Sequence, residues 1–68
     1  MNKEKLKKAI AYAGTNQAQL AEQLGVTRAS FGHRLDKMRF SEEELNKIAE
    51  MIGAKYVDFF EFSDGTKI

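Results

Sequence analysis

The chain has no cysteine and one histidine, His33. Without thiols there is no disulfide, no thiolate nucleophile and no cysteine-ligated zinc. A single imidazole removes the usual multi-histidine metal sites and leaves little for acid–base chemistry. No paired nucleophile and base can be assembled from the remaining residues, so the reading is not an enzyme, with no cofactor and no metal. No apolar run approaches the roughly 20 residues of a membrane span, and Met1 leads straight into a charged helix. A cytoplasmic protein with no membrane or small-molecule partner is therefore expected. At 68 residues the chain makes one small domain, near the lower limit for a core without metal or disulfide support.

Net charge is only +1, but it is unevenly spread. Residues 1–39 hold eight Lys/Arg against three acids, a net +5, and residues 40–68 hold three against seven, a net −4. A bipolar molecule of this kind offers one half to phosphate and turns the other away. An ordinary mixed surface is the plainer interpretation of the same numbers.

The stretch NQAQLAEQLGVTRASFGHRL, Asn16 to Leu35, carries the strongest local signal. Leu20, Ala21 and Leu24 recur at helical spacing. Gly25 suits the left-handed residue that ends a helix, Val26 plugs the turn, and Thr27 caps the next helix. Ala21 must be small if two helices cross steeply over so short a turn. Asn16 is read as the first helix's cap, with Gln19 closing a capping box. The second helix, Arg28 to about Lys37, turns Phe31 and Leu35 inward and Arg28, Ala29, Gly32 and His33 outward.

Around this pair, a first helix is expected from Lys3 to Ala13 with Leu6, Ala9, Ile10 and Ala13 buried. Lys3, Lys5, Lys7 and Lys8 form its solvated face, and Gly14 ends it. FSEEEL begins a fourth helix: Ser41 is the cap, Glu44 its capping-box partner, and Phe40 with Leu45 a hydrophobic staple. Its glutamates favour the positive end of the helix dipole, which makes them stabilising rather than metal-binding. Leu45, Ile48, Ala49 and Ile52 should be buried, and Gly53 closes the helix.

The spacing Gln17, Ala21, Gly25, Val26, Phe31 resembles the phage-repressor-like class of helix-turn-helix DNA-binding domains, the Cro/xenobiotic-response-element class, over about Lys5 to Gly53. The resemblance implies a mainly α, four-helix repressor-like domain that binds double-stranded DNA as a small transcriptional regulator, its third helix in the major groove. It also implies that Gln17 holds a phosphate at a helix N-terminus, a ready-made anion site. Arg28, Ala29 and His33 match positions that reach base edges, with Gly32 allowing close backbone approach; the alternative for Gly32 is a glycine tolerated on a solvent face. Asn16, Thr27, Ser30, Lys37 and Arg39 are phosphate candidates. The chain departs from the class at Arg34, where a branched apolar residue is usual. Its stem is expected across the core with the guanidinium at solvent or phosphate, which leaves the rotation of the third helix open.

Residues 1–53 are thus the helix-turn-helix domain, and 54–68 a tail of different character. Tyr56, Val57, Phe59, Phe60 and Phe62 are strand formers, and Asp64-Gly65 is a two-residue hairpin signal. A short fifth helix is the alternative to the strand and hairpin. With a two-residue turn, Ser63 pairs with Thr66, Phe62 with Lys67 and Glu61 with Ile68, which leaves Tyr56 to Phe60 without a partner strand. An unpaired aromatic edge invites a second chain, so Tyr56, Phe59, Phe60 and Phe62 are expected at a homodimer interface. The competing function, a protein-interaction module such as an antitoxin binding its partner through this tail, rests on the same aromatics.

Overall fold

A computed structural model describes all 68 residues. Four helices, α1 (Lys3–Tyr12), α2 (Gln17–Leu24), α3 (Arg28–Lys37) and α4 (Glu42–Met51), precede two short strands, β1 (Ala54–Tyr56) and β2 (Phe60–Phe62). The chain is mainly helical with a C-terminal hairpin. No fifth helix forms.

Each helix starts on a side-chain oxygen that accepts an otherwise unsatisfied backbone N–H. Asn2 accepts from Lys5, Asn16 from Gln19, Thr27 from Ser30 and Ser41 from Glu44, at 2.9–3.1 Å. Ser41 and Glu44 complete a reciprocal capping box, as their spacing predicts. Gln19 does not: its carboxamide oxygen accepts from the Thr15 hydroxyl instead, at 2.7 Å. Gly25 takes the left-handed conformation at φ +77°, with Val26 N–H donating to Ala21 and Gly25 N–H to Glu22. The same pair of bonds closes α3 around Met38, a non-glycine residue at φ +50°, with Arg39 and Met38 donating to Arg34 and Leu35.

The core draws Leu6, Ala9 and Ile10 from α1, Leu20 and Ala21 from α2, and Phe31 and Leu35 from α3. Leu45, Ile48, Ala49 and Ile52 come from α4 and its end, and Phe60 and Phe62 from β2. Ala21 is buried where α2 meets α3, in keeping with the small side chain its turn demands. Every helix contributes the stripe its periodicity marks, except that Ala13 and Leu24 are only half-buried.

The tail departs from expectation in register and in partner. β1 and β2 pair antiparallel within the chain, Ala54 opposite Phe62 and Tyr56 opposite Phe60, after a reversal at Asp58 with φ +77°. The second turn has three residues rather than two. Phe62 N–H donates to Thr66 and Phe60 N–H to Ile68 at 2.9 and 2.7 Å, and Glu61 stands opposite Lys67. Gly65, at φ +90°, is the left-handed residue that ends such a three-residue loop. β2 is therefore bonded on both sides by its own chain, and the unpaired strand that argued for a homodimer does not exist. Phe60, fully buried, and Phe62 belong to the domain's own core and not to a dimer interface. Tyr56 and Phe59 are half-buried, Tyr56 packed on the core and Phe59 under the Lys67 ammonium at 5.7 Å.

The tail is pinned back onto α1. Tyr12 meets Phe62 edge-on at 4.7 Å, and its hydroxyl bonds the Asp64 carboxylate and, at 3.0 Å, the Thr66 hydroxyl. The Tyr12 hydroxyl first, and then the Thr66 backbone N–H that donates to Oδ1 at 2.8 Å, hold the Asp64 carboxyl below the ordinary carboxylate range. Burial, aided by Asp58 and Glu42, pushes the Tyr56 hydroxyl upward.

Candidate nucleic-acid interface

The helix-turn-helix is built by three residues between α2 and α3. Gly25 ends one helix, Val26 packs against the core, and Thr27 caps the next, its Oγ1 accepting from Ser30 N–H at 3.0 Å. Burial of Phe31 and Leu35, four residues apart, then sets which side of α3 faces out. Arg28, Ala29 and His33 are exposed on that side, and Gly32 is half-buried between them.

Gly32 lies against the first turn of α2. A Cβ built on it would meet the Gln17 Oε1 at 3.9 Å and nothing closer. The N-terminal end of α2 and the exposed face of α3 thus form one surface, with Gln17 beside Gly32. The α2 end carries the partial positive charge of its free amides, and Asn16 and Gln17 both stand at it. The Asn16 Oδ1 is occupied by the cap, which leaves its amide hydrogens as donors, and the Thr27 hydroxyl likewise keeps its hydrogen. Ser30, Lys37 and Arg39 are exposed along α3 and the loop after it.

Arg34 stands apart from this group. Its guanidinium pairs with Glu44 at the start of α4 and lies 5.2 Å from the centre of the Phe40 ring. Its head is therefore held by the protein, between the Glu44 carboxylate and the Phe40 ring. Glu44, which sequence reading assigned to capping alone, is the partner that reading missed. The available signal was a charge in an apolar position, which requires a nearby opposite charge. The first-turn Lys3 is drawn to Asp36 at 3.7 Å, both exposed, a contact worth little.

No helix is long and apolar enough to cross a membrane. No group of histidine, cysteine or acidic side chains is arranged to hold a metal ion.

Comparison with protein families gives a match to the Bacteriophage CI repressor helix-turn-helix domain over residues 4–65. The matched span takes in all of α1 but its first residue, the other three helices, both strands and the turn at Gly65. Neither the curated proteins nor the solved structures yield a match.

Proposed function

Because the chain belongs to the bacteriophage CI repressor helix-turn-helix family, we propose that it reads specific sequences in double-stranded DNA as a transcriptional regulator, with α3 in the major groove. The observation that carries this is the single surface made by the α2 N-terminus and the outward face of α3, joined where Gln17 meets Gly32. In this reading Gln17 and Asn16 grip a backbone phosphate at the helix end. Lys37, Arg39 and the hydroxyls of Thr27 and Ser30 hold the flanking backbone, which positions the domain without specifying sequence. Arg28 donates a bidentate pair to a guanine, Ala29 offers its methyl to a thymine, and His33 donates to a base acceptor, with Gly32 admitting close approach. A regulator working on DNA in this way acts in the cytoplasm.

Selection of bound sequences from a random duplex library, followed by fluorescence anisotropy on the winner, tests the reading. The selected duplex should bind far more tightly than a scrambled one, and Arg28→Ala should cost about 1–3 kcal/mol on it while relaxing one base position. A library that yields no enriched sequence refutes sequence-specific readout. The interaction-module alternative loses Phe60 and Phe62, which are buried in the domain's own core, and keeps only the half-buried Tyr56 and Phe59.

A further inference from the structure

We propose that Arg34 is a positioning residue for base readout: it fixes the rotation of α3 through Glu44 and Phe40 and makes no phosphate contact. The proposal rests on the DNA-binding reading above and deepens it.

The argument starts from how α3 is anchored. Its two fully buried side chains, Phe31 and Leu35, lie four residues apart and so define nearly one line along the helix. A helix held only along a line can roll about it, and a roll re-aims Arg28, Ala29 and His33 together. Arg34 adds an anchor to the side of that line. Its side chain is only 26% exposed and that of Glu44 31%, so the pair is largely screened from water.

Both Glu44 oxygens are committed. Oε1 accepts from the Ser41 N–H at 2.9 Å and closes the capping box, and Oε2 takes the guanidinium. Phe40 lies below the guanidinium and packs on Phe31 at 5.5 Å, so the ring links this anchor to the first one. The planar, multi-donor guanidinium suits a carboxylate on one side and a ring face on the other, which a lysine would not. Its charge is already neutralised there, and drawing it to a phosphate would strand Glu44 beside Phe40.

Three variants read this out on the selected and the scrambled duplex. Arg34→Met keeps the stem and removes the head. Glu44→Gln keeps a side chain able to close the capping box and removes the charge. The third combines them. Each single change should reduce the preference for the selected duplex about ten-fold, the scale of one misaimed base contact, and the double change should do no worse than either. The slope of log affinity against log salt should stay as in the parent for Arg34→Met.

A slope shallower by about 1 with preference intact would make Arg34 a phosphate contact and overturn the proposal. Loss of preference in Arg34→Met but not in Glu44→Gln would overturn it too, by making Arg34 a direct reader of a base. Circular dichroism checks that each variant is folded, and Arg34→Lys serves as a milder change, expected to fall between parent and Arg34→Met. A parent chain without preference among duplexes refutes the functional reading instead. The tether is still tested in that case: backbone amide resonances of Arg28, Ala29 and His33 should move in Glu44→Gln, and unmoved resonances refute it.

Discussion

Gly32 is the residue at which stability and binding pull apart. Glycine inside a helix costs about 1 kcal/mol relative to alanine, yet nothing in the free domain fills the space a methyl would take. Gly32→Ala should therefore raise unfolding stability by up to about 1 kcal/mol in chemical denaturation while weakening affinity for the selected duplex. Affinity unchanged by the methyl would show that α3 does not bring this backbone close to DNA. Asp64 makes a second residue-scale prediction. Its carboxyl is depressed in the folded state by the Tyr12 hydroxyl and then by Thr66. A depressed acid stabilises above its unfolded pKa, and that contribution is lost as pH falls from that value through the lower folded one. Thermal melts from about pH 6 down to about pH 3 should show Asp64→Asn melting lower than the parent at the upper end and converging on it at the lower. Parallel curves would count against the Tyr12–Asp64 bond.

At the scale of elements, the C-terminal ribbon is part of the folded core and not an appendage to it. Phe60 is fully buried, so Phe60→Ala should cost about 3–5 kcal/mol, a large share of what so small a domain has. Val57→Ala, at a residue 45% exposed at the turn between the strands, should stay within about 0.5 kcal/mol. Urea titrations of the two variants decide this, and equal small effects would mean that the ribbon folds independently of the helices. The helices themselves were legible because their signals are local. Asn16, Thr27, Ser41 and Gly25 act within four residues of themselves, and the buried stripes follow from spacing alone. The ribbon was not, because Asp64-Gly65 fits both a two-residue and a three-residue turn. One residue of difference shifts how β2 pairs with the last residues, and the partner of β1 comes from a separate reversal at Asp58, φ +77°, that no glycine marks.

For the whole molecule, the division of charge and the closure of the ribbon make two statements. The basic half holds α2, α3 and the Lys37–Arg39 loop, so affinity for any duplex should fall steeply with salt as counterions are released, with a slope of about −0.9 per phosphate neutralised. Lys37→Ala or Arg39→Ala should each make that slope shallower by about 1 and weaken all duplexes alike. Salt-insensitive binding would be inconsistent with this face meeting phosphate. The exposed large apolar side chains are only Tyr12 and Val57, and Tyr12 is already engaged with Asp64 and Thr66. Sedimentation equilibrium on the chain without DNA should accordingly return a monomer at tens of micromolar. A dimer at that concentration would overturn this expectation.

What the sequence determined by itself is what near neighbours determine: four capped helices, the Gly25 turn, the inward Phe31 and Leu35, and so the outward Arg28, Ala29, Gly32 and His33. The identity of the surface followed, because a helix face is fixed by periodicity once its buried side is known. Only the tertiary structure decided the contacts between distant segments. It set Gln17 beside Gly32, gave Arg34 to Glu44 and Phe40, and folded Phe60 and Phe62 under the helices. Arg34 could be seen to need a carboxylate, but the chain offers ten, and choosing among them takes the crossing of α3 and α4 in space. Likewise, an aromatic strand carries the same signal whether it is buried against its own helices or against another chain, and which of the two covers it is settled only when the rest of the core is in place.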